Sequence, residues 1–231
     1  MLNFVEDDFD IRTVNFFCIP AQERSQLAAL QPNTFDVAVL LTQPSENKAT
    51  LPFRYNPAIH EPFLNGVYDW LKAINPLMSK TGILYIYGLQ QWLPYFSVYL
   101  DNLGWYFKYW LALEVVHPAP TEKPMINTHE GILLYVHNKN KFNIRKVRSP
   151  HSHCDVCGDF TADWGGKKDQ RHPLGYAISD VWDDLPRIKD EHYTLSPEVW
   201  QRLIMLAAQN GSNILCANYD GLTDLEKYIL E

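Results

Sequence analysis

The sequence predicts an α/β fold built on a largely parallel sheet. Two apolar runs, Phe35 to Leu41 and Gly82 to Tyr87, are continuous instead of alternating, as strands buried on both faces require. Between and after them lie stretches with helical spacing, and alternating strands and helices make such a sheet. With 231 residues, 46% of them hydrophobic, the chain is long enough for one substantial core.

In chain order, Thr13 to Phe17 reads as a strand, Ala21 to Leu30 as a helix from its helix formers, and Phe35 to Leu41 as a buried strand. Residues 46 to 61 read as a loop. From Pro62, the spacing of Phe63, Val67, Trp70, Leu71 and Ile74 predicts an amphipathic helix stopped by Asn75-Pro76. Gly82 to Tyr87 is the second buried strand, and Gln91 to Leu100 the next helix. Trp105 to Val116 and Gly131 to His137 are expected to pair as a hairpin across a proline-rich connection. Asn138 to Arg187 is polar, basic and glycine-containing, with no long element. Ser196-Pro197-Glu198 places an N-cap and a first-turn proline before a helix through Trp200, Leu203, Ile204 and Ala207. Asn213 to Ala217 is a last strand and Leu222 to Leu230 a terminal helix.

The net charge of −7 argues against a whole-surface nucleic-acid binder. The cations are unevenly placed, however. Lys139, Lys141, Arg145, Lys146, Arg148, Lys167, Lys168 and Arg171 fall in one third of the chain, so a local basic lobe or a solvated connection are both open. No apolar run reaches membrane-spanning length, and the acidic start lacks the basic residues of a signal peptide. A cytoplasmic protein with reduced thiols is expected. The spacing His151-Ser152-His153-Cys154-Asp155-Val156-Cys157-Gly158 is that of one zinc knuckle. His151 and His153 are the candidates to complete a site with Cys154 and Cys157, although a lone Cys-x-x-Cys also occurs without metal.

The polar stretch Trp164-Gly165-Gly166-Lys167-Lys168, followed by Ile178-Ser179-Asp180-Val181-Trp182-Asp183-Asp184-Leu185-Pro186-Arg187-Ile188, has neither helical nor strand periodicity. It closely resembles the segment before the cofactor-binding half of bacterial DNA amino-methyltransferases, the N4-cytosine/N6-adenine enzymes of permuted "beta" order. That resemblance covers nearly the whole chain. It implies a Rossmann-like, S-adenosylmethionine-dependent methyltransferase fold in one domain over residues 1–231. The catalytic half comes first, and residues 138–190 form an inserted recognition segment.

The resemblance also places the sites. The catalytic tetrapeptide, Asp-Pro-Pro-Tyr or a variant, falls on Thr42-Gln43-Pro44-Ser45. There an acidic or amide side chain and a proline-fixed carbonyl hold the target amine while an aromatic ring stacks on the flipped base. Pro44 matches, Gln43 is able to bond an adenine edge, and Ser45 offers nothing to stack. The glycine-rich cofactor loop falls on Cys216-Ala217-Asn218-Tyr219-Asp220-Gly221-Leu222-Thr223. Cys216 stands for the acid and Tyr219 for the first glycine, so Tyr219 is expected to obstruct the cofactor. Gly221 and Thr223 match. A further strand is expected beyond this helix to carry a ribose-binding acid, which Asp220 or Asp224 would have to replace. His192 and Pro197 keep part of a signal that shapes the cofactor pocket, and His129-Glu130 resembles a pair that opens a strand, taken as a structural turn. Lys167, Lys168, Arg171 and Arg187 are the expected DNA contacts.

Three functions stay open. The preferred one is a catalytically impaired relative that binds DNA or a partner protein. The second is an active methyltransferase in which Gln43 takes the target amine. The third is a non-catalytic subunit docking through Trp105, Tyr106 and Trp110, residues equally suited to a core.

Overall fold

The computed structural model describes residues 4–5, 8–42, 54–116, 129–161, 164–185, 188–189, 195–219, 227 and 229. The strands are β1 (Phe4–Val5), β2 (Asn15–Pro20), β3 (Phe35–Leu41), β4 (Met78–Gly88), β5 (Tyr106–Val116), β6 (His129–Val136), β7 (Val147–Ser149), β8 (Tyr176–Ala177), β9 (Val181–Trp182), β10 (Ile188–Lys189) and β11 (Asn213–Tyr219). The α-helices are α1 (Pro57–Ile74), α2 (Leu93–Asn102) and α3 (Pro197–Ala207).

The main sheet runs β10-β5-β6-β4-β3-β11-β2, and β9 also joins β5. Strands β2, β11, β3 and β4 are mutually parallel, so their carboxyl ends share one edge. β6 runs antiparallel to β4 and β5, which is the expected hairpin. The continuous apolar runs have the expected cause. Along β3, Val37, Val39 and Leu41 pack with α3, while Ala38 and Leu40 pack with α1 and α2, and all five are buried.

Two local expectations are corrected. Residues Ala21–Ala29 form 3-10 turns kinked at Glu23, not an α-helix. Only Leu27 of that run is buried, and helix formers without an apolar stripe give tertiary packing nothing to hold. Helix α1 starts at Pro57, not Pro62, because Asn56 caps it by accepting from the Ala58 N–H. Pro57 takes the first-turn place, and Pro62 is carried inside the helix. By contrast, Ser196 caps α3 as expected, accepting from the Val199 N–H at 3.4 Å. The expected terminal helix lies mostly outside the described residues, although Lys227 and Ile229 are helical and Ile229 is buried.

The 138–190 segment is tied to the body partly through strand pairing. β7 pairs with β1 and β8 in a small antiparallel sheet, and β9 extends the main sheet beside β5. The Ala112 N–H donates to Asp180 O at 2.8 Å, and Trp182 is buried with its Nε1 donating to Ser179 O. The stretch with no periodicity in sequence is therefore an anchor. Its glycines Gly165 and Gly166 have φ of 59° and 80°, a left-handed turn that side chains with a Cβ resist.

Candidate active site and basic cavity

In open α/β sheets, ligands bind outside the carboxyl ends of the parallel strands. Here that edge holds Thr42 after β3, Gly88 ending β4, and Asn218 and Tyr219 ending β11. Thr42 is buried, and both its N–H and its Oγ1 donate to Tyr87 O, at 2.9 and 2.8 Å. Gly88 permits that approach, since a Cβ there would collide with Thr42 Oγ1. Asn218 has φ of 59°, and its Nδ2 donates to Leu41 O, tying the ends of β11 and β3 together.

Tyr219 is buried in the core on the α3 side, its ring 6.5 Å from that of Trp200. The ring expected to obstruct the cofactor is instead turned into the core. Cys216 lies inside β11, buried and in register with Cys18 of β2. Burial and the adjacent Cys18 thiol push its thiol well above the usual range. Gln43, Pro44, Ser45, Asp220, Gly221, Thr223, Asp224 and His192 lie outside the described residues. The strand position beside β11 is filled by β2.

Most of the residues expected to hold a cofactor at this edge lie outside the described residues. Of those described, the Thr42 hydroxyl and the Asn218 amide are bonded to backbone carbonyls. Glu130 is not in a turn. It lies in β6, buried, where it accepts a hydrogen bond from the Tyr87 hydroxyl.

The basic segment does form a cavity, of about 440 Å³, lined by Arg148, His151, Lys167, Gln170, Arg171, His172 and Tyr176 among others. Among the described residues, no carboxylate lines it. The Arg171 guanidinium lies 3.5 Å from the centre of the Phe160 ring, and Arg148 Nη1 donates to Gly175 O at 3.2 Å. Of the expected DNA contacts, Lys167 and Arg171 are brought together here. Only the backbone of Lys168 is described, and Arg187 lies outside the described residues. Arg148 belonged to the clustered cations of the sequence, whereas nothing in the spacing pointed to His172 or Tyr176.

The four expected zinc ligands are not gathered. Cys154 and Cys157 meet across a turn, but His153 stacks on Phe160 with ring centres 4.4 Å apart, and His151 Nε2 bonds His172 O at 3.0 Å. Among the described residues, no three His, Cys, Asp or Glu side chains surround one point.

A buried network, unmarked in the sequence, joins the cavity-bearing segment to α3. Arg202 donates to Asp184 through Nη1 at 2.7 Å and Nη2 at 2.8 Å, and Ser149 Oγ donates to Asp184 at 2.6 Å. Burial acts to raise the Asp184 carboxyl, but the Arg202 and Ser149 hydrogen bonds prevail and hold it below the usual range.

Residues 49–215 match the N6/N4 family model described as DNA methylase. The chain belongs to that family. The methylase match begins after Thr42–Ser45 and stops before Cys216–Thr223, so it rests on the sheet, α3 and the intervening segment. Over 159 residues the chain is 26% identical to the Type II methyltransferase M.BamHI of Bacillus amyloliquefaciens, an alignment covering 66% of this chain and 37% of that protein. The chain therefore spans well under half of that relative. Among solved structures, the M1.HpyAVI complex with S-adenosylmethionine superposes with a TM-score of 0.51 at 12% identity, covering 94% of this chain and 96% of the other. TTHA0409 of Thermus thermophilus, described as a DNA modification methylase, gives 0.55 at 13%, covering 93% and 92%. These likenesses establish the S-adenosylmethionine-dependent methyltransferase fold. Among the described residues, no helix is long and apolar enough to cross a membrane.

Proposed function

We propose that residues 1–231 form one DNA N4/N6 methyltransferase-like unit, impaired in methyl transfer, that acts by binding DNA through its 138–190 segment. The observation that supports this is a pair of hydrogen bonds at the strand edge. Thr42, at the place of the family's amine ligand, has its hydroxyl committed to Tyr87 O, and Asn218 bonds β11 to β3 where a cofactor would enter. DNA is favoured over other partners by the cavity, which Arg148, Lys167 and Arg171 line together, since phosphate attraction depends on the local field.

Calorimetric titration with S-adenosylmethionine and S-adenosylhomocysteine tests it. The expected result is no measurable heat. Micromolar binding would instead favour the active methyltransferase, with Gln43 taking the target amine. The partner-protein alternative has its own support, because Tyr106, Phe107 and Tyr109 on β5 are 45 to 51% exposed. Trp105 does not belong to that surface, being buried with its Nε1 bonded to Asn75, and Trp110 packs partly buried into the core. Absence of any gel shift on duplex DNA at low salt would transfer the function to a protein partner.

A further inference from the structure

Cys154 and Cys157 have no role in the methylase frame or in lining the cavity. They stand at the tip of a hairpin closed by four contacts. The Cys154 N–H donates to Asp159 O at 2.7 Å, the Gly158 N–H to Cys154 O at 2.9 Å, and the Thr161 N–H to Ser152 O at 3.0 Å, while His153 bridges Phe160. The tip projects into solvent: Cys157 is exposed and Val156 is 94% exposed. At the tip, residues 155–157 form one turn that carries Cys157 back beside Cys154. The two cysteines therefore flank one turn whose backbone is already bonded, and joining them needs no strand to move. No third metal ligand competes for them among the described residues.

We propose that Cys154 and Cys157 form a redox-active dithiol, closed to an intramolecular disulfide by exchange with a low-molecular-weight disulfide of the glutathione class. The Cys154 thiolate attacks one sulfur of the small disulfide, forming a mixed disulfide and expelling one thiolate. Cys157 then loses its proton to solvent and attacks the Cys154 sulfur. The Cys154–Cys157 bond forms as the mixed bond breaks and expels the second thiolate. Two electrons pass from the protein dithiol to the small disulfide, which leaves as two thiols.

The local chemistry supports this order of attack. The Cys157 and Val156 N–H groups, with the Cys157 thiol, hold the Cys154 thiol below its ordinary range, which raises the thiolate fraction that attacks. Burial pushes the Cys216 thiol the other way, so Cys216 is a poor nucleophile in the folded chain.

The test equilibrates the whole chain with mixtures of oxidised and reduced glutathione, traps thiols by alkylation and maps peptides by mass spectrometry. The expected product is one disulfide between Cys154 and Cys157, reversed by reduced glutathione, with the buried Cys216 alkylated only after denaturation. Cys157→Ser should stop at a glutathione adduct on Cys154. Cys154→Ser should form adduct more slowly and no cross-link. Three results would overturn the proposal: free thiols in excess oxidised glutathione, separate adducts on both cysteines without ring closure, or one tightly bound zinc per chain that protects both thiols.

Discussion

Asn218 and Tyr219 are adjacent at the end of β11 and act in opposite directions. Asn218 takes a left-handed backbone and reaches sideways to Leu41 O, while Tyr219 carries its ring into the core beside Trp200. A substitution meant to reopen the cofactor approach therefore meets packing first. Tyr219→Ala is expected to lower stability by about 3 kcal/mol or more, the usual scale for removing a large buried ring, without creating affinity for S-adenosylmethionine. Chemical denaturation and calorimetry on the same variant separate the two effects, and cofactor binding gained with no loss of stability would contradict this packing. Asn218→Ala loses both the tie to Leu41 and a residue tolerant of positive φ, and is expected to cost roughly 1–2 kcal/mol, read as a lower denaturation midpoint.

Helix α3 and the cavity-bearing segment are joined through Arg202, which is 1% exposed, and Asp184, which is 18% exposed. Asp184→Asn would leave a buried guanidinium without its counter-charge, a change expected to cost about 3 kcal/mol. The pH dependence follows from the lowered Asp184 carboxyl. Its folded pKa lies below its unfolded value, so the contribution is complete above the ordinary carboxylate pKa of about 3.9. It is lost as pH falls through the folded value. Denaturation from pH 7 downward should show the wild type converging on Asp184→Asn only in acid, and a constant gap would refute the linkage. This network was not legible in the sequence, because Asp184 reads as one acid of a polar run and Arg202 as the solvent face of a helix. The strands were legible, since burial on both faces leaves unbroken apolar runs such as Val37 to Leu41. The cap of α3 was legible from Ser196-Pro197, whereas Asn56-Pro57 was overshadowed by Pro62, a second proline that looked like the first turn. At the sites, clustering in sequence pointed to Lys167 and Arg171, but only folding brings Arg148 and His172 to them.

Across the whole molecule, the acidic body and the basic cavity set what DNA binding would look like. Replacing Lys167 and Arg171 together with alanine is expected to weaken binding to all sequences alike. It should also flatten the plot of log affinity against log salt by up to about two ion units. Fluorescence anisotropy across a salt series measures this, and an unchanged slope would place the phosphate contacts elsewhere. The strand order has a different kind of consequence. β11, at residues 213–219, lies between β2 and β3, which both come before residue 42, and pairs with both. During synthesis the early strands cannot close on each other in the native arrangement. One edge of β3, flanked by Val37, Val39 and Leu41, waits unpaired until residues 213–219 have left the ribosome. Such long-range parallel pairing is slow and leaves sticky edges exposed meanwhile, so the central seam of this sheet is a keystone set last, and a nascent chain halted before residue 213 is a chain primed to aggregate.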